Sequence, residues 1–208
     1  MTRTNTDTPG LLMIDMPMPI LTPRLIIRPA MPGDGADIHA AKVETWDDLS
    51  VWMPWAKAIG TAEETESSCR EAWGRFLLRE DFRMVAIDRA THEFAAMTGL
   101  HRFDAAVRRM EIGYWTRKAC QGRGIATEMT IALAHYAFRA LSARAVAICH
   151  ASGNDASRRV IERAGFHYEG CLRNATALPD GSVQDQLWYS FTDPADVPPL
   201  DVRWGTEP

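Results

Sequence analysis

The chain alternates between short apolar runs and longer segments in which apolar residues recur every three or four positions. Short apolar runs bounded by polar turns indicate strands, because a strand buries a face within few residues. We expect strands over 24–29, 82–90, 93–103, 108–116, 143–151, 166–174 and 183–191. The second and third of these should form a hairpin around Thr91 and His92.

The spacing of three and four residues predicts helices over 32–46, 61–80, 122–140 and 154–164. Thr61 followed by Glu64 is typical of a capping box at a helix start. Asn154 is a favoured N-cap residue, and Gly165 is a favoured residue just beyond a helix end.

This order of elements predicts an α+β fold of mixed αβα layering, with antiparallel strands first and strand–helix–strand crossovers later. The length of 208 residues suits one globular domain. We expect a flexible N-terminal segment over 1–20, the domain over 21–192 and a C-terminal tail over 193–208.

Composition argues against several classes of partner. With 23 Lys and Arg against 27 Asp and Glu, the net charge is −4, whereas broad nucleic-acid binding normally requires a basic surface. No apolar run approaches the length of a membrane span, and the first 20 residues do not resemble a signal peptide. We therefore expect a cytoplasmic protein that binds neither nucleic acid nor membrane.

The cysteines and histidines do not indicate a metal site. The four cysteines lie far apart without a CxxC pair, and the six histidines lack ligand spacing. We therefore expect reduced thiols and no metal. Cys149, on a predicted buried strand, is interpreted as a packing residue.

Two glycines and an arginine stand where the third helix should begin, in Gln121-Gly122-Arg123-Gly124-Ile125-Ala126. Glycine lets a ligand approach the main chain, and a helix start offers unpaired N–H groups, so this stretch could bind phosphate. It lacks the GxxxxGK[ST] pattern, and Thr127 occupies the last glycine position of GxGxxG. It fits Q/R-x-x-G-x-G/A. An ordinary glycine-rich turn remains an equal alternative on these residues alone.

Four further stretches give the chain a family resemblance. They are TPRLIIRP (22–29), LSVWMPWA (49–56), EIGYW (111–115) and NDASRRVIERAGF (154–166). Together with the glycine-containing stretch they resemble the GNAT N-acetyltransferase superfamily, in particular its RimJ/RimL branch, over residues 21–192. The resemblance implies a twisted, mostly antiparallel sheet that splays between the fourth and fifth predicted strands, with helices on both faces.

The resemblance also implies a binding mode for acetyl-CoA. The pantetheine arm would lie between the splayed strands, and main-chain groups around Tyr114, Trp115 and Thr116 would pair with its amides. Backbone N–H groups of the glycine-containing turn would hold the pyrophosphate. The residues of that turn are Gln121, Gly122, Arg123, Gly124, Ile125, Ala126 and Thr127.

Catalytic and acceptor residues also follow from the resemblance, each with a structural alternative. Ser157 would be the acid near the thioester sulfur, or simply a residue of the first helical turn. Asn154 would contact pantetheine, or cap the helix. Glu111, at the start of a predicted strand and on the same face as Gly113 and Trp115, would be the base, or lie at a solvated strand end and leave that role to water. Trp52 and Trp55, in a loop between the first two helices, would form an acceptor wall, or cover the core.

The implied activity is acetyl transfer from acetyl-CoA to an amine by direct attack in a ternary complex. The first acceptor is a protein N-terminal α-amine, such as that of a ribosomal protein. Three alternatives stay open: a small-molecule amine acceptor, a non-catalytic acyl-CoA-binding module, and a nicotinamide-dependent oxidoreductase. A homodimer is a further expectation from the family.

Overall fold

Residues 11–205 are described by the computed structural model, and the strands in this range form one open sheet. The strands are β1 (Ile20–Leu21), β2 (Leu25–Pro29), β3 (Phe82–Asp88), β4 (Phe94–Asp104), β5 (Arg109–Thr116), β6 (Ala145–Ala151), β7 (His167–Ala177), β8 (Val183–Phe191) and β9 (Arg203–Trp204). The helices are α1 (Gly35–Trp52), α2 (Ala62–Leu77), α3 (Ile125–Arg139) and α4 (Asp155–Arg163).

The sheet order is β7-β8-β6-β5-β4-β3-β2-β1-β9, and neighbouring strands are antiparallel except for β5 and β6. The parallel pairing of β5 with β6 runs from Arg109 opposite Ala145 to Ile112 opposite Ile148, and it ends there. Beyond this point the two strands are no longer paired with each other. The mixed fold and the separation of these strands, which are the fourth and fifth predicted from the sequence, are confirmed.

The helices cover both faces of the sheet. One core cluster joins Met129 of α3 and Ile161 of α4 to Ile112 of β5. A second cluster joins Leu49 of α1 to Trp115 of β5, together with residues of α2. Since Ile112 and Trp115 are three residues apart on one strand, they face opposite sides of the sheet. α1 and α2 therefore pack on one face, and α3 and α4 on the other.

Local capping signals position two helices as predicted. The Thr61 hydroxyl accepts a hydrogen bond from Glu64 N–H at 3.1 Å, and the Glu64 carboxylate accepts one from Thr61 N–H at 2.8 Å. This is the complete capping box at the start of α2. Asn154 Oδ1 accepts from Ser157 N–H at 3.0 Å and so caps α4.

Four predicted helix boundaries are wrong by three or more residues, of which two are simple shifts: α1 begins at Gly35 rather than at residue 32, and α2 ends at Leu77 rather than near residue 80. α1 does not end near residue 46 but continues to Trp52, because Leu49 extends its buried stripe and Met53, before Pro54, is the first residue with extended backbone. Trp52 therefore belongs to a helix rather than to a loop. α3 begins at Ile125, not near Gly122, because Gly122 and Gly124 adopt left-handed φ values of 70° and 77°.

The short strands β1 and β9 were not predicted, since two-residue strands carry no periodicity. β9 pairs with β1, and Trp204 lies edge-on to Tyr136 of α3 with ring centroids 5.7 Å apart. The division into 1–20, 21–192 and 193–208 stays a prediction, and residues 1–10 and 206–208 lie outside the described range. Within residues 11–205, no helix is both long and apolar enough to cross a bilayer.

The capping box generates a stability prediction. Thr61→Ala should lower the free energy of unfolding by about 1 kcal/mol, because the N–H of Glu64 loses its acceptor. Thr61→Ser keeps the hydroxyl and should stay within a few tenths of the wild-type value. Urea denaturation followed by circular dichroism measures both variants, and equal stability of the Ala and Ser variants would contradict a stabilising cap.

Candidate active site

The site is built around the opening between β5 and β6. Arg117 N–H donates to Ala95 O of the β4 side at 2.9 Å. Because antiparallel strands alternate hydrogen-bonded and non-hydrogen-bonded pairs, the main-chain groups of Tyr114 and Thr116 point away from β4, towards the opening. The side-chain amide of Gln121 reaches the Thr116 carbonyl at 3.3 Å. The opening is thus bordered by main-chain groups of β5 that no strand pairs.

The turn before α3 presents a row of free backbone donors at one end of this opening. The left-handed backbone of Gly122 and Gly124 turns the chain directly into the helix. Within the described residues, no N–H group of residues 122–127 donates a hydrogen bond to the protein. The helix dipole adds partial positive charge at the same place, so this end of the opening favours an anion.

A buried carboxylate holds this turn against the sheet. Glu128, in the first turn of α3, accepts hydrogen bonds from Thr22 Oγ1 at 2.5 Å and from the Arg24 main chain at 3.0 Å. The Arg24 guanidinium pairs with Glu128 Oε2 at 2.5 Å and donates to the carbonyl oxygen of Arg123 at 2.7 Å. Sequence reasoning placed Arg24 in the stretch 22–29 but missed its contact with Glu128, which lies 104 residues away in sequence.

The Arg123 side chain lies on the surface rather than in the opening. It is exposed and lies 4.0 Å from Asp88, and it does not line the opening. The part of Arg123 that belongs to the turn is its main chain.

A cavity of about 380 Å³ extends from the turn into the opening, and we call it the cofactor-side cavity. It brings together most residues predicted to bind a cofactor or to act in catalysis. These are Tyr114, Trp115, Thr116, Gln121, Gly122, Gly124, Ile125, Ala126, Thr127, Asn154 and Ser157, and Trp52 joins them. The Thr116 hydroxyl oxygen is buried and has no hydrogen-bond partner among the described residues.

Two hydroxyl groups meet across the opening. Tyr114 Oη of β5 and Ser157 Oγ of α4 are 3.1 Å apart, and either can donate. Burial raises the pKa of Tyr114 to about 12, and the hydrogen bond with Ser157 offsets this only in part. The phenol therefore keeps its proton throughout the neutral pH range and stays available as a donor.

Glu111 does not line the cofactor-side cavity. Its Oε2 accepts from Arg102 at 2.6 Å, and its Oε1 accepts from the Cys149 thiol at 3.5 Å. Burial and the neighbouring carboxylate raise the pKa of Cys149 to about 12, so the thiol stays protonated. The expectation that Glu111 is the base gains nothing from this geometry.

A second cavity of about 640 Å³ lies on the face covered by α1 and α2, and we call it the helix-side cavity. Trp55 lines it, with the Lys42 ammonium 5.9 Å from the centre of its indole ring. Burial lowers the pKa of Lys42, although Glu64 opposes this. The two cavities share the walls formed by Met53, Tyr114 and Trp115, so they meet beside the opening. Trp52 and Trp55 thus lie in different cavities.

His101 is the functional candidate that sequence reasoning missed. It lines the helix-side cavity, and its Nδ1 lies 2.6 Å from Asp81 Oδ1. The sequence does not indicate the pairing of His101 with Asp81, because one residue lies on β4 and the other directly before β3, and only the folded sheet brings them together. Alternation along the predicted strand would have placed His101 on the same face as Gly99. Within residues 11–205, no group of three or more His, Cys, Asp and Glu side chains is arranged to hold a metal ion.

Comparison with known proteins agrees with this geometry. The family described as "Acetyltransferase (GNAT) domain" matches residues 24–167. YdaF of Bacillus subtilis (strain 168), whose name provisionally assigns it as a ribosomal N-acetyltransferase, is 44% identical over 168 residues, covering 80% of this chain and 90% of YdaF. The "Ribosomal-protein-serine acetyltransferase" of Escherichia coli (strain K12) is 27% identical over 153 residues, covering 73% and 83%.

Solved structures share the fold. One described as a "Probable acetyltransferase" is 29% identical with a TM-score of 0.75, covering 82% of this chain and 93% of the other. The structure of "RimL- Ribosomal L7/L12 alpha-N-protein acetyltransferase in complex with Coenzyme A" is 24% identical with a TM-score of 0.73, covering 84% and 97%. At the latter identity the likeness concerns the fold.

Proposed function

The chain belongs to the GNAT acetyltransferase family and is an acetyl-CoA-dependent N-acetyltransferase of RimJ/RimL type, and from this premise we propose that its acceptor is the N-terminal α-amine of a protein. The 44% identity to YdaF carries this proposal, because it extends over 90% of a protein named for ribosomal N-acetylation. A ribosomal protein is the preferred acceptor, and the cytoplasm is the matching location.

Amine chemistry supports an α-amine. Attack on a thioester needs the neutral amine, and a peptide α-amino group has a pKa of about 8, against about 10.4 for lysine. At neutral pH the neutral fraction of an α-amine is on the order of 100-fold larger. An enzyme that chiefly holds the two reactants together can therefore acetylate an α-amine with modest further assistance.

In the proposed complex, acetyl-CoA occupies the cofactor-side cavity. The free N–H groups of residues 122–127 hold its pyrophosphate, with the Arg24 guanidinium nearby as a second source of positive charge. The pantetheine arm pairs with the main-chain groups of Tyr114 and Thr116 that point away from β4. Asn154 uses Oδ1 as a helix cap and keeps its amide NH₂ for the arm.

The acceptor enters through the helix-side cavity, where Trp55 forms part of its wall. Both substrates are bound together, and the amine attacks the thioester carbonyl directly without an acyl-enzyme. The common walls of the two cavities, Met53, Tyr114 and Trp115, support such a ternary complex, because they bring the two binding spaces side by side.

The leaving thiolate receives a hydrogen bond from Ser157, with the Tyr114 hydroxyl behind it. A thiol has a pKa of about 8.5, well below that of this buried phenol. The hydroxyl pair therefore stabilises the thiolate as a donor, and the proton that completes free CoA comes from solvent.

The acceptor class is tested with peptides. At pH 7, the kcat/KM for a peptide with a free N-terminal Ser or Ala should be about 100-fold higher than for the same peptide with a blocked N-terminus and one lysine. The reason is that the lysine side chain is almost entirely protonated at this pH. Mass spectrometry locates the acetyl group, and released thiol gives the rate. Turnover of small amines, with no turnover of any peptide α-amine, would refute the proposed acceptor.

The turn before α3 is tested with two matched glycines. Gly122→Ala and Gly181→Ala each place a side chain at positive φ, at 70° and 86°, in otherwise open space. Both should lose about 1–2 kcal/mol of stability from backbone strain. Only Gly122→Ala should weaken CoA binding, by roughly tenfold in Kd or about 1.4 kcal/mol, because its methyl group hinders the close approach of the pyrophosphate to the backbone N–H groups of the turn. Calorimetry measures both affinities, and equal affinities would locate CoA elsewhere.

The hydroxyl pair is tested by kinetics. Ser157→Ala should lower kcat by about 10- to 100-fold and leave the Kd for CoA within about threefold, because a donor to the thiolate acts mainly in the transition state. Ser152→Ala is the matched control and should keep wild-type kcat, because Ser152 is exposed and lies outside both cavities. A Ser157→Ala enzyme with wild-type kcat would remove Ser157 from the reaction.

A further inference from the structure

The imidazole of His101 packs against the sheet at two glycines. Gly99 and Gly113 are directly opposite each other on β4 and β5. A Cβ built on Gly99 would lie 2.7 Å from both Cε1 and Nε2 of His101, and one built on Gly113 would lie 3.0 Å from Cδ2. A Cβ on Gly99 would also lie 2.6 Å from the Phe82 carbonyl oxygen, so the ring by itself accounts for Gly113, and it accounts for Gly99 together with the backbone of β3.

Asp81 fixes which nitrogen of the ring carries the hydrogen in the neutral form. Its carboxylate lies 2.6 Å from Nδ1 of His101. Burial raises the pKa of Asp81, but the hydrogen bond and charge of His101, with Arg75 and Arg83, outweigh it and lower the pKa overall. An ionised carboxylate can only accept, so Nδ1 carries the hydrogen. In the neutral ring, Nε2 then has a free lone pair, and within the described residues no group hydrogen-bonds to it.

The other charged and titratable groups around His101 come from each neighbouring element. They are Arg83 of β3, Arg102 of β4, Glu111 and Tyr114 of β5, Arg75, Glu64 and Cys69 of α2, and Lys42 of α1. Glu111 is the cross-strand partner of His101, but it is paired with Arg102. Asp81 is the carboxylate in hydrogen-bond contact with the ring.

We propose that His101, oriented by Asp81, is the general base that takes the proton from the acceptor amine, an inference that rests on acetyl transfer through the helix-side cavity. His101 lines this cavity together with Gly113, Tyr114 and Trp115, and the last two also border the cofactor-side cavity. The ring thus stands on the acceptor side of the place where the two cavities meet. Asp81 is a positioning residue, because it acts through the ring.

In the proposed step, the amine nitrogen forms a bond to the thioester carbonyl carbon, and the proton it then carries passes to Nε2 of His101. The carbon–sulfur bond breaks, and CoA leaves as the thiolate, which takes a proton from solvent. The imidazolium returns its proton to solvent, so the products are the amide and CoA.

The closing experiment measures kcat/KM between pH 5.5 and 9 with a peptide α-amine and with a small primary amine. His101→Asn should lower kcat/KM at pH 7 by about 100-fold, the scale of a lost general base, and should remove the acidic limb of the profile that reports imidazole protonation. Added imidazole should restore part of the activity of His101→Ala, because the missing side chain leaves a space of the size of the ring above Gly99 and Gly113. His92→Asn, an exposed histidine of the β3–β4 turn with φ of 58°, is the matched control and should behave as wild type.

Asp81→Asn separates a positioning role from a purely structural one. It should lower kcat by about 10-fold and leave the KM for the amine within about threefold, because the binding space is unchanged while the ring loses the group that fixes its orientation and tautomer. Unchanged pH profiles in both His101 variants, without rescue by imidazole, would overturn the proposal even if activity fell. If the wild-type enzyme acetylates only the small amine, the peptide acceptor is refuted, while the His101 result stays valid. The affinity of the His101 and Asp81 variants for CoA should equal that of the wild-type enzyme.

Discussion

The loss of pairing between β5 and β6 beyond Ile112 and Ile148 is the constraint on which the rest of the structure depends. A sheet interior normally satisfies every N–H and C=O group through neighbouring strands. Here β5 keeps β4 on one side and β6 keeps β8, while the facing edges are left without each other. Such an edge needs a partner with amide groups of its own, or water. The pantetheine arm of CoA carries amides at a spacing suited to a strand edge.

The glycines of the site serve two different physical purposes. Gly122 and Gly124 are needed for backbone conformation, because their positive φ values turn the chain into α3 with its N–H groups exposed. Gly99 and Gly113 have no such φ requirement and are needed for space, because the His101 ring lies against both and the Phe82 carbonyl oxygen also crowds Gly99. The first kind can be recognised in a sequence from its place before a helix, and the second kind is visible only when the opposing strand is known.

This difference explains how much could be predicted. The Thr61 cap, the turn at 121–127 and the strands that precede the separation are encoded locally, and the sequence indicates them. The contact of Arg24 with Glu128 spans 104 residues, so no local pattern announces it. Likewise, Glu111 looked like a base because of its place on a strand, but its partner Arg102 comes from across a tight bulged hairpin. Ion pairs and hydrogen bonds between neighbouring strands decide which titratable side chain is left unpaired, and the periodicity of the sequence does not indicate these contacts.

Apart from Met53, Tyr114 and Trp115, the two cavities are lined by different residues, although α1 contributes to both. The wall of the helix-side cavity includes the connection between α1 and α2, with Trp55, Ile59 and Gly60, none of which borders the cofactor-side cavity. Mutations in that connection can accumulate without altering the turn before α3. On the proposed assignment of the two cavities, divergence among related enzymes is expected to be modular: substitutions in one inter-helix segment can change the acceptor while the residues proposed to bind CoA stay the same.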